Sequence, residues 1–176
     1  MVTFVKGDIF KSPAQVLTNT VNCVGVMGKG VALEFKNRYP KMFGDYKSKC
    51  DLGEVKPGHP YLWEDDSAQV LNFPTKRHWR DGSLLQDIED GLKHLASSYE
   101  KLGIQSIAMP ALGCGLGGLK WSEVQPLIVK YLGNIPDLDV YVYEPQSVAS
   151  IKNDMTGSST SPEAGDEKIS ARQPEA

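Results

Sequence analysis

Two glycine-rich segments hold the residues whose types and spacing best suit chemistry. Residues 22–30 read NCVGVMGKG and residues 111–118 read ALGCGLGG. Glycine lets backbone amides approach an anion closely, and a helix that starts at such a loop adds free N–H groups and a favourable dipole. Neither segment matches the Walker A loop or the GxGxxG dinucleotide pattern. Two such loops at equivalent strand ends favour a phosphate cradle over ordinary loop geometry.

Two polar residues flank these loops. Asp8 follows a predicted strand and can accept a hydrogen bond from an exocyclic amine, but a turn cap is an equally good interpretation. Asn22 can donate to and accept from sugar hydroxyls, and the alternative is an Asx turn within the loop.

A cationic run follows a later strand. Lys76, judged by its type alone, is typical of a solvated surface lysine, although its amine could also serve as a nucleophile or a proton-transfer group. The next four residues combine cations with a flat ring, which suits a nucleic-acid strand at about 1–3 kcal/mol per stacked base. The alternative is an ordinary loop with Trp79 in the core. These candidate nucleic-acid contacts are Arg77, His78, Trp79 and Arg80.

Strand-like and helix-like segments alternate along the chain, which predicts an α/β fold with a mixed, largely parallel central sheet. Apolar spacing predicts a long helix from Leu84 to Leu102, capped by Ser83, and another with Pro126 near its first turn. His94 falls with Asp87, Asp90 and Lys101 on the polar face of the long helix, which is expected to be solvated. Ligands of such sheets lie beyond the carboxyl ends of strands, where both loops fall. The predicted strands are 2–6, 15–22, 61–64, 69–73, 104–109 and 138–143, and the helices are 31–39, 41–50, 84–102 and 122–132.

Composition limits the classes of protein. The length of 176 residues fits one domain over residues 1–146, and the polar segment 147–176 is expected to be a disordered tail. No apolar run is long enough for a membrane span and no secretory signal is evident. Three cysteines without CxxC spacing fit reduced thiols in the cytoplasm, and the three histidines form no metal-ligand spacing. A net charge of −3 argues against sequence-blind nucleic-acid binding. We expect a monomer without cofactor or metal.

Four stretches resemble the macrodomain family: GDI at 7–9, TNTVN at 18–22 leading into GKGVA at 28–32, and PALGCG at 110–115. The resemblance covers about residues 1–145 and implies a three-layer α/β/α macrodomain. Within that family, NFPTKRHWR at 72–80 and GGLKW at 117–121 resemble the DarG type. That type comprises DNA ADP-ribosyl glycohydrolases, antitoxins to DarT toxins, which are related to the terminal ADP-ribose glycohydrolase and ALC-like branch.

The resemblance implies roles for individual residues. Asp8 corresponds to the acceptor of the adenine amino group, Asn22 to the asparagine at the distal ribose, and Lys76 to the lysine that cleaves the glycosidic bond. In the terminal-glycohydrolase relatives an aspartate of the second loop assists the lysine, and Gly117 stands at that position here. Tyr143 could flank the adenine, with core packing as the alternative. The residues assigned to ADP-ribose are Asp8, Ile9, Thr20, Gly28, Lys29, Gly30, Val31, Gly113, Cys114, Gly115, Leu116, Gly117 and Tyr143, with Lys76 and Asn22 as catalytic residues.

These implications make removal of ADP-ribose from thymine in DNA the expected activity, with ADP-ribosylated DNA as ligand and a DarT-like toxin as possible partner. Two other functions stay open at this point. One is a non-catalytic reader of ADP-ribose, and the other is hydrolysis of protein acyl-linked or O-acetyl ADP-ribose, against which the absent aspartate at position 117 weighs. Cys114 has no evident base beside it, so packing is its better interpretation.

Overall fold

A six-stranded sheet runs through the part of the chain that the computed structural model describes, residues 1–146. The strand order is β1-β6-β5-β2-β4-β3, and all neighbours are parallel except β3 and β4, which form an antiparallel hairpin. This confirms the mixed, largely parallel sheet. The strands are β1 Val2–Val5, β2 Val16–Val21, β3 Tyr61–Glu64, β4 Gln69–Pro74, β5 Ser106–Pro110 and β6 Asp139–Tyr143, and the α-helices are α1 Gly30–Arg38, α2 Pro40–Asp51, α3 Leu85–Ser98 and α4 Trp121–Leu132.

Alternate residues of β2, β3 and β4 feed two separate cores, because successive side chains point to opposite faces of a sheet. On one face, Leu71 and Phe73 of β4 pack with Ile88 of α3 and Val124 of α4. On the other, Val70 packs with Phe35 of α1 and with α2. Helices therefore cover both faces, which confirms the three-layer α/β/α arrangement.

Each predicted element is present, and most ends agree within two residues. The start of α3 was predicted wrongly. Leu84 is the N-cap residue, with no side-chain cap hydrogen bond, and its side chain is 49% exposed rather than on the apolar face. Ser83 is not a cap because its hydroxyl is buried against the second glycine-rich loop.

A second error concerns Pro126, which lies in the second turn of α4 rather than the first. Its ring removes the amide that would bond to Ser122, a cost that the buried face of the helix, formed by Val124, Ile128 and Leu132, offsets. Burial of that apolar stripe therefore outweighs the local preference of proline.

Residues Met1–Pro145 form one compact unit, and the predicted tail, 147–176, lies outside the described residues. Within residues 1–146 no helix is long and apolar enough to cross a bilayer. The same range contains no cluster of three or more histidine, cysteine or acidic side chains that could hold a metal ion.

Candidate active site

Five parallel strands end in a row at one edge of the sheet, in the order β1, β6, β5, β2, β4. Asp8 follows β1, Tyr143 ends β6, the second loop follows β5, the first loop follows β2, and Lys76 follows β4. At about 4.8 Å per strand spacing, this row extends over about 19 Å. The fold thus brings the residues predicted separately from sequence to one edge.

The first loop is held together by the side chain of Asn22. Its Oδ1 accepts hydrogen bonds from the Val24 and Val26 N–H groups (3.1 and 3.4 Å), and its Nδ2 donates to the Val26 carbonyl (2.7 Å). The buried Tyr46 hydroxyl lies 2.8 Å from both Oδ1 and the Asn22 carbonyl. The Asx-turn interpretation of Asn22 therefore describes what its side chain does in the fold, and one Nδ2 hydrogen is left for a ligand.

The same loop leads directly into α1. Gly25 and Gly30 adopt left-handed backbone conformations, with φ of 85° and 60°. Gly28 and Lys29 lie between them, and Val31 is the second residue of α1. Lys29 is exposed and is the N-cap residue, with no side-chain cap bond, so the first amides of α1 keep their dipole at the loop.

The second loop is held by backbone contacts and close packing. Leu119 N–H donates to the Gly113 carbonyl (2.9 Å), and Ser83 N–H donates to the Gly117 carbonyl (2.9 Å). A Cβ on Gly117 would stand 2.2 Å from Ser83 Oγ and 2.4 Å from the Gly113 oxygen. No side chain fits at position 117, because Ser83 and the Gly113 carbonyl fill the space that it would need.

The two loops approach each other at Gly30 and Leu116. A Cβ on Gly30 would lie 3.8 Å from Leu116 Cδ1, so the Leu116 side chain, 67% exposed, extends over the start of α1. A Cβ on Gly115 would have no other atom within 4 Å, which leaves open space above the second loop. We call the space between the two loops the cleft, and at Gly115 it is free of side chains.

The segment that carries Lys76 is fastened to the first loop. The Val21 carbonyl accepts from the Thr75 and Lys76 N–H groups (2.9 and 3.3 Å), and Cys23 N–H donates to the Arg77 carbonyl (3.3 Å). Lys76 is half-buried, and its Nζ donates to the Trp79 carbonyl at 3.5 Å. Its amine therefore lies over the turn formed by its own segment, just beyond the end of β4.

Arg77 makes a two-point ion pair with Asp87. Its Nε and Nη2 donate to the two carboxylate oxygens at 3.1 and 3.2 Å. The Asp87 side chain is only 6% exposed, so the prediction that Asp87 lies on a solvated helix face is wrong. The buried carboxylate raises the pKa of Arg77 above its usual value, chiefly by hydrogen bonding. The guanidinium predicted for nucleic acid is thus also a link between α3 and the Lys76 segment.

Trp79 is 46% exposed, so the alternative that placed it in the core is wrong. The Arg80 guanidinium lies 4.6 Å from its ring centroid, and the His78 ring is 5.4 Å away and tilted by 32°. His78 Nδ1 also accepts a hydrogen bond from the Arg80 N–H at 3.1 Å. These three side chains, which we call the Trp79 platform, present an aromatic and cationic surface beside Lys76.

The remaining predicted residues lie further along the row. Asp8 is exposed, and its Oδ1 accepts from the Phe10 N–H at 2.9 Å, so it does cap a short 3₁₀ turn that begins at the buried Ile9. Thr20 is half-buried near the end of β2. Tyr143 is half-buried and pairs in register with Pro110 of β5.

The thiols near the loops are poor nucleophiles. Burial raises the pKa of the Cys23 thiol to about 11, and burial also raises the pKa of Cys114. Cys114 donates from its Sγ to the Leu112 carbonyl at 3.6 Å. Both thiols are therefore protonated at neutral pH, which supports packing roles.

Comparison with known proteins decides the family. The Macro domain family model matches residues 18–128. The chain belongs to the macrodomain family. It is 44% identical over 149 residues to a DNA ADP-ribosyl glycohydrolase of Mycobacterium tuberculosis, a match that covers 82% of this chain and 42% of the relative. The chain thus spans less than half the length of that relative.

Solved structures agree with this assignment. The macrodomain of Mycobacterium tuberculosis DarG superposes with a TM-score of 0.80 at 43% identity, covering 83% of this chain and 99% of that one. Thermosipho africanus DarTG in complex with ADP-ribose superposes with a TM-score of 0.80 at 40% identity, covering 86% of this chain and 44% of that one. The prediction of a DarG-type macrodomain is confirmed.

Sequence reasoning missed three residues that shape the site: Tyr46, Ser83 as a packing residue, and Asp87. Asp87 was available as an acid in the first turn of α3, where a carboxylate is favourable, but its partner Arg77 is ten residues away across a loop. Tyr46 gave no signal and Ser83 gave only that of a helix cap, because the contacts of both depend on how α2 and the second loop pack.

Proposed function

We propose that this macrodomain is a glycohydrolase that removes ADP-ribose from DNA, with thymine as the modified base. The observation that carries the proposal is the position of Lys76 at one end of the row of strand ends. Its N–H donates to the Val21 carbonyl and its Nζ donates to the Trp79 carbonyl. Relatives at 40–44% identity that are named DNA ADP-ribosyl glycohydrolases support it.

The row fits an elongated ligand. In the proposed complex the adenine lies at Asp8 and Ile9, with Tyr143 beside it, and the diphosphate lies between the two loops. Amides of the first loop and the N-terminus of α1 supply N–H groups for the diphosphate. The distal ribose then reaches the β4 end of the row, where Lys76 stands.

Lys76 acts at the anomeric carbon of that ribose. In one version its amine attacks the carbon as the bond to the thymine nitrogen breaks, the amine proton passes to that nitrogen, and water then hydrolyses the lysine–ribose bond to release ADP-ribose and the free amine. In the other version it transfers a proton to the nitrogen while water attacks the carbon. Asn22 positions the sugar through the loop it organises and through its free Nδ2 hydrogen. Borohydride trapping of a covalent Lys76 adduct separates the two versions.

The test is turnover of ADP-ribosylated single-stranded DNA by the wild type and by Lys76→Ala, with Lys101→Ala, an exposed lysine beyond α3, as matched control. We expect Lys76→Ala to lose about 100-fold or more of kcat while binding ADP-ribose normally in calorimetry. Full activity of this variant removes Lys76 from the reaction. No turnover of DNA by the wild type, with tight ADP-ribose binding, favours a reader, and turnover of acyl-linked ADP-ribose alone favours the third function.

We also propose a DarT-like toxin as partner and the cytoplasm as location. A fusion of a DNA ADP-ribosyl transferase with a DNA ADP-ribosyl glycohydrolase in Thermosipho africanus supports the pairing, and three free cysteines suit a reducing compartment. Co-expression with such a transferase tests it: cells should survive with the wild type and die with Lys76→Ala. Death in both cases contradicts the pairing.

A further inference from the structure

The first loop lies between two groups of aromatic and cationic side chains. On one side it is bonded to the Lys76 segment through Cys23 and Arg77, and the Trp79 platform follows directly. On the other side it packs on α2: a Cβ on Gly25 would lie 3.6 Å from Lys47 Cγ. A polymer that crossed the loop would meet both groups.

The group on α2 forms a stripe that leads away from the loop. Lys47 comes one turn after Phe43, so both side chains project from the same face of the helix. Lys36 of α1 places its Nζ 4.4 Å from the Phe43 ring centroid. Lys47 is exposed, and the other two are half-buried. We call Lys36, Phe43 and Lys47 the α2 stripe.

The charges of this stripe are available to a ligand. Among the ion pairs of residues 1–146, none involves Lys36 or Lys47. Over residues 1–49 lysine and arginine outnumber the acids, whereas acids prevail over residues 50–146. Within α1 and α2 themselves, residues 30–51, five lysine and arginine side chains stand against three acids, so these two helices carry net positive charge in a chain of net charge −3.

We propose that the α2 stripe and the Trp79 platform are the two ends of one track for single-stranded DNA that crosses the first loop. The proposal rests on the proposed function and extends it to the nucleotides on both sides of the modified base. Cations meet phosphates while the Trp79 ring, 46% exposed, accepts an unpaired base, which a duplex does not offer. Such tracks hold about 4–16 nucleotides. The enzyme then prefers modified strands to modified mononucleotides.

The test compares Lys36→Gln/Lys47→Gln with Lys93→Gln/Lys101→Gln. The control pair removes the same charge from the α3 side of the sheet, and Lys93, like Lys36, lies over an aromatic ring, at 6.0 Å from the Tyr131 centroid. Binding of a fluorescent ADP-ribosylated oligonucleotide is measured at several salt concentrations in the Lys76→Ala background, which prevents turnover.

We expect the α2-stripe variant to bind the oligonucleotide about tenfold more weakly and to lower the slope of log K against log salt by about 0.7 for each lost phosphate contact. ADP-ribose affinity should not change in either variant. Equal losses in both variants, or none in the α2-stripe variant, overturn the track.

A second measurement separates the track from the proposed function. The wild type is assayed on a modified oligonucleotide and on a modified dinucleotide. A kcat/KM at least about tenfold higher for the oligonucleotide supports the track. Equal values overturn the track but leave the proposed function intact, whereas no turnover of either substrate overturns the proposed function itself.

Discussion

The two glycine-rich loops occupy neighbouring strand ends, yet they are stabilised in different ways. The first is organised by side chains, with Asn22 bonded to its loop and to the Tyr46 hydroxyl. The second is organised by packing, with Gly113 and Gly117 pressed against Leu119 and Ser83. A glycine-rich pattern therefore has two physical causes in one molecule.

The difference separates glycines that serve the fold from those that serve a ligand. In the first loop, a Cβ on Gly28 would meet nothing closer than 3.8 Å, so its lack of a side chain leaves room for an approaching group. In the second loop, the fold itself requires glycine at position 117, with or without a bound ligand, because a Cβ would overlap Ser83 and the Gly113 carbonyl. A side chain added at Gly117 should thus lower stability, whereas one added at Gly28 should lower affinity for a ligand.

The largest effect is expected for Gly117→Ala. Its methyl group would overlap Ser83 Oγ and the Gly113 carbonyl, and the carbonyl cannot move without disturbing the loop. We expect a loss of about 2–3 kcal/mol in the free energy of unfolding, measured by urea denaturation. Gly115→Ala in the same loop, with open space around its Cβ, is the control and should stay within about 0.5 kcal/mol of the wild type. Equal stabilities for the two variants would contradict the packing account.

Asn22→Ala should come next. It leaves two loop N–H groups and one carbonyl without their partner, while the Tyr46 hydroxyl keeps only the Asn22 carbonyl, at a cost of about 2 kcal/mol. Because the loop would no longer be held in one conformation, affinity for ADP-ribose should fall about tenfold or more, as measured by calorimetry. Asn37→Ala, an exposed asparagine of α1, is the control. Unchanged affinity in Asn22→Ala would show that the loop is organised without it.

Much of this site could be predicted from local patterns. The apolar alternation and helical spacing located the strands and helices, and glycines at two strand ends located the cleft. The fold supplied what the pattern lacked, namely which strand ends are neighbours. Asp87 shows why the rest was out of reach: its spacing placed it on a solvated face, and only the approach of Arg77 across the loop explains its burial.

Ser83 illustrates the same limit. A serine just before a helical pattern is a reasonable cap by local rules, but tertiary packing turned it towards the second loop. Its buried hydroxyl has no hydrogen-bond partner within residues 1–146, so the local preference was overridden at some cost. The predictions for Asp87 and Ser83 were both wrong because contacts with other segments of the chain, which local patterns do not show, determine where these side chains lie.

The next prediction concerns the Arg77–Asp87 ion pair, which joins the segment that carries Lys76 to α3. Arg77→Lys keeps the charge but loses the two-point geometry, so the segment that carries Lys76 should become less well positioned. We expect kcat to fall about tenfold with little change in KM or in ADP-ribose affinity. Lys130→Gln, which removes an ion pair with Glu89 outside the site, is the control. A fall in stability without a change in kcat would make the pair a purely structural link.

The smallest expected effect is a loss of folding stability at alkaline pH. Its size should differ between Cys23, at the first loop, and Cys114, in the second. Burial raises the pKa of Cys23, at the first loop, from 9.0 to about 11. Between these values the unfolded chain has lost the proton that the folded chain keeps, so stability falls as pH rises through this window. Allowing for the partial exposure of the thiol, we expect about 1 kcal/mol. The pKa of Cys114, in the second loop, is raised by burial alone.

Removing each thiol in turn checks this. The free energy of unfolding is measured by urea denaturation at several pH values between about 8 and 11, the range over which the Cys23 thiol titrates in one state but not the other. Cys23→Ala should flatten the alkaline decline, and Cys114→Ala should flatten it less, because Cys23 also lies near Asp87 and Cys50, whose negative charges add to the effect of burial. The free energy of unfolding could instead decline identically in the wild type and in Cys23→Ala. The first loop would then open before its thiol ionises, and the hydrogen bonds of Asn22 and Tyr46 would stabilise it less than packing stabilises the second loop.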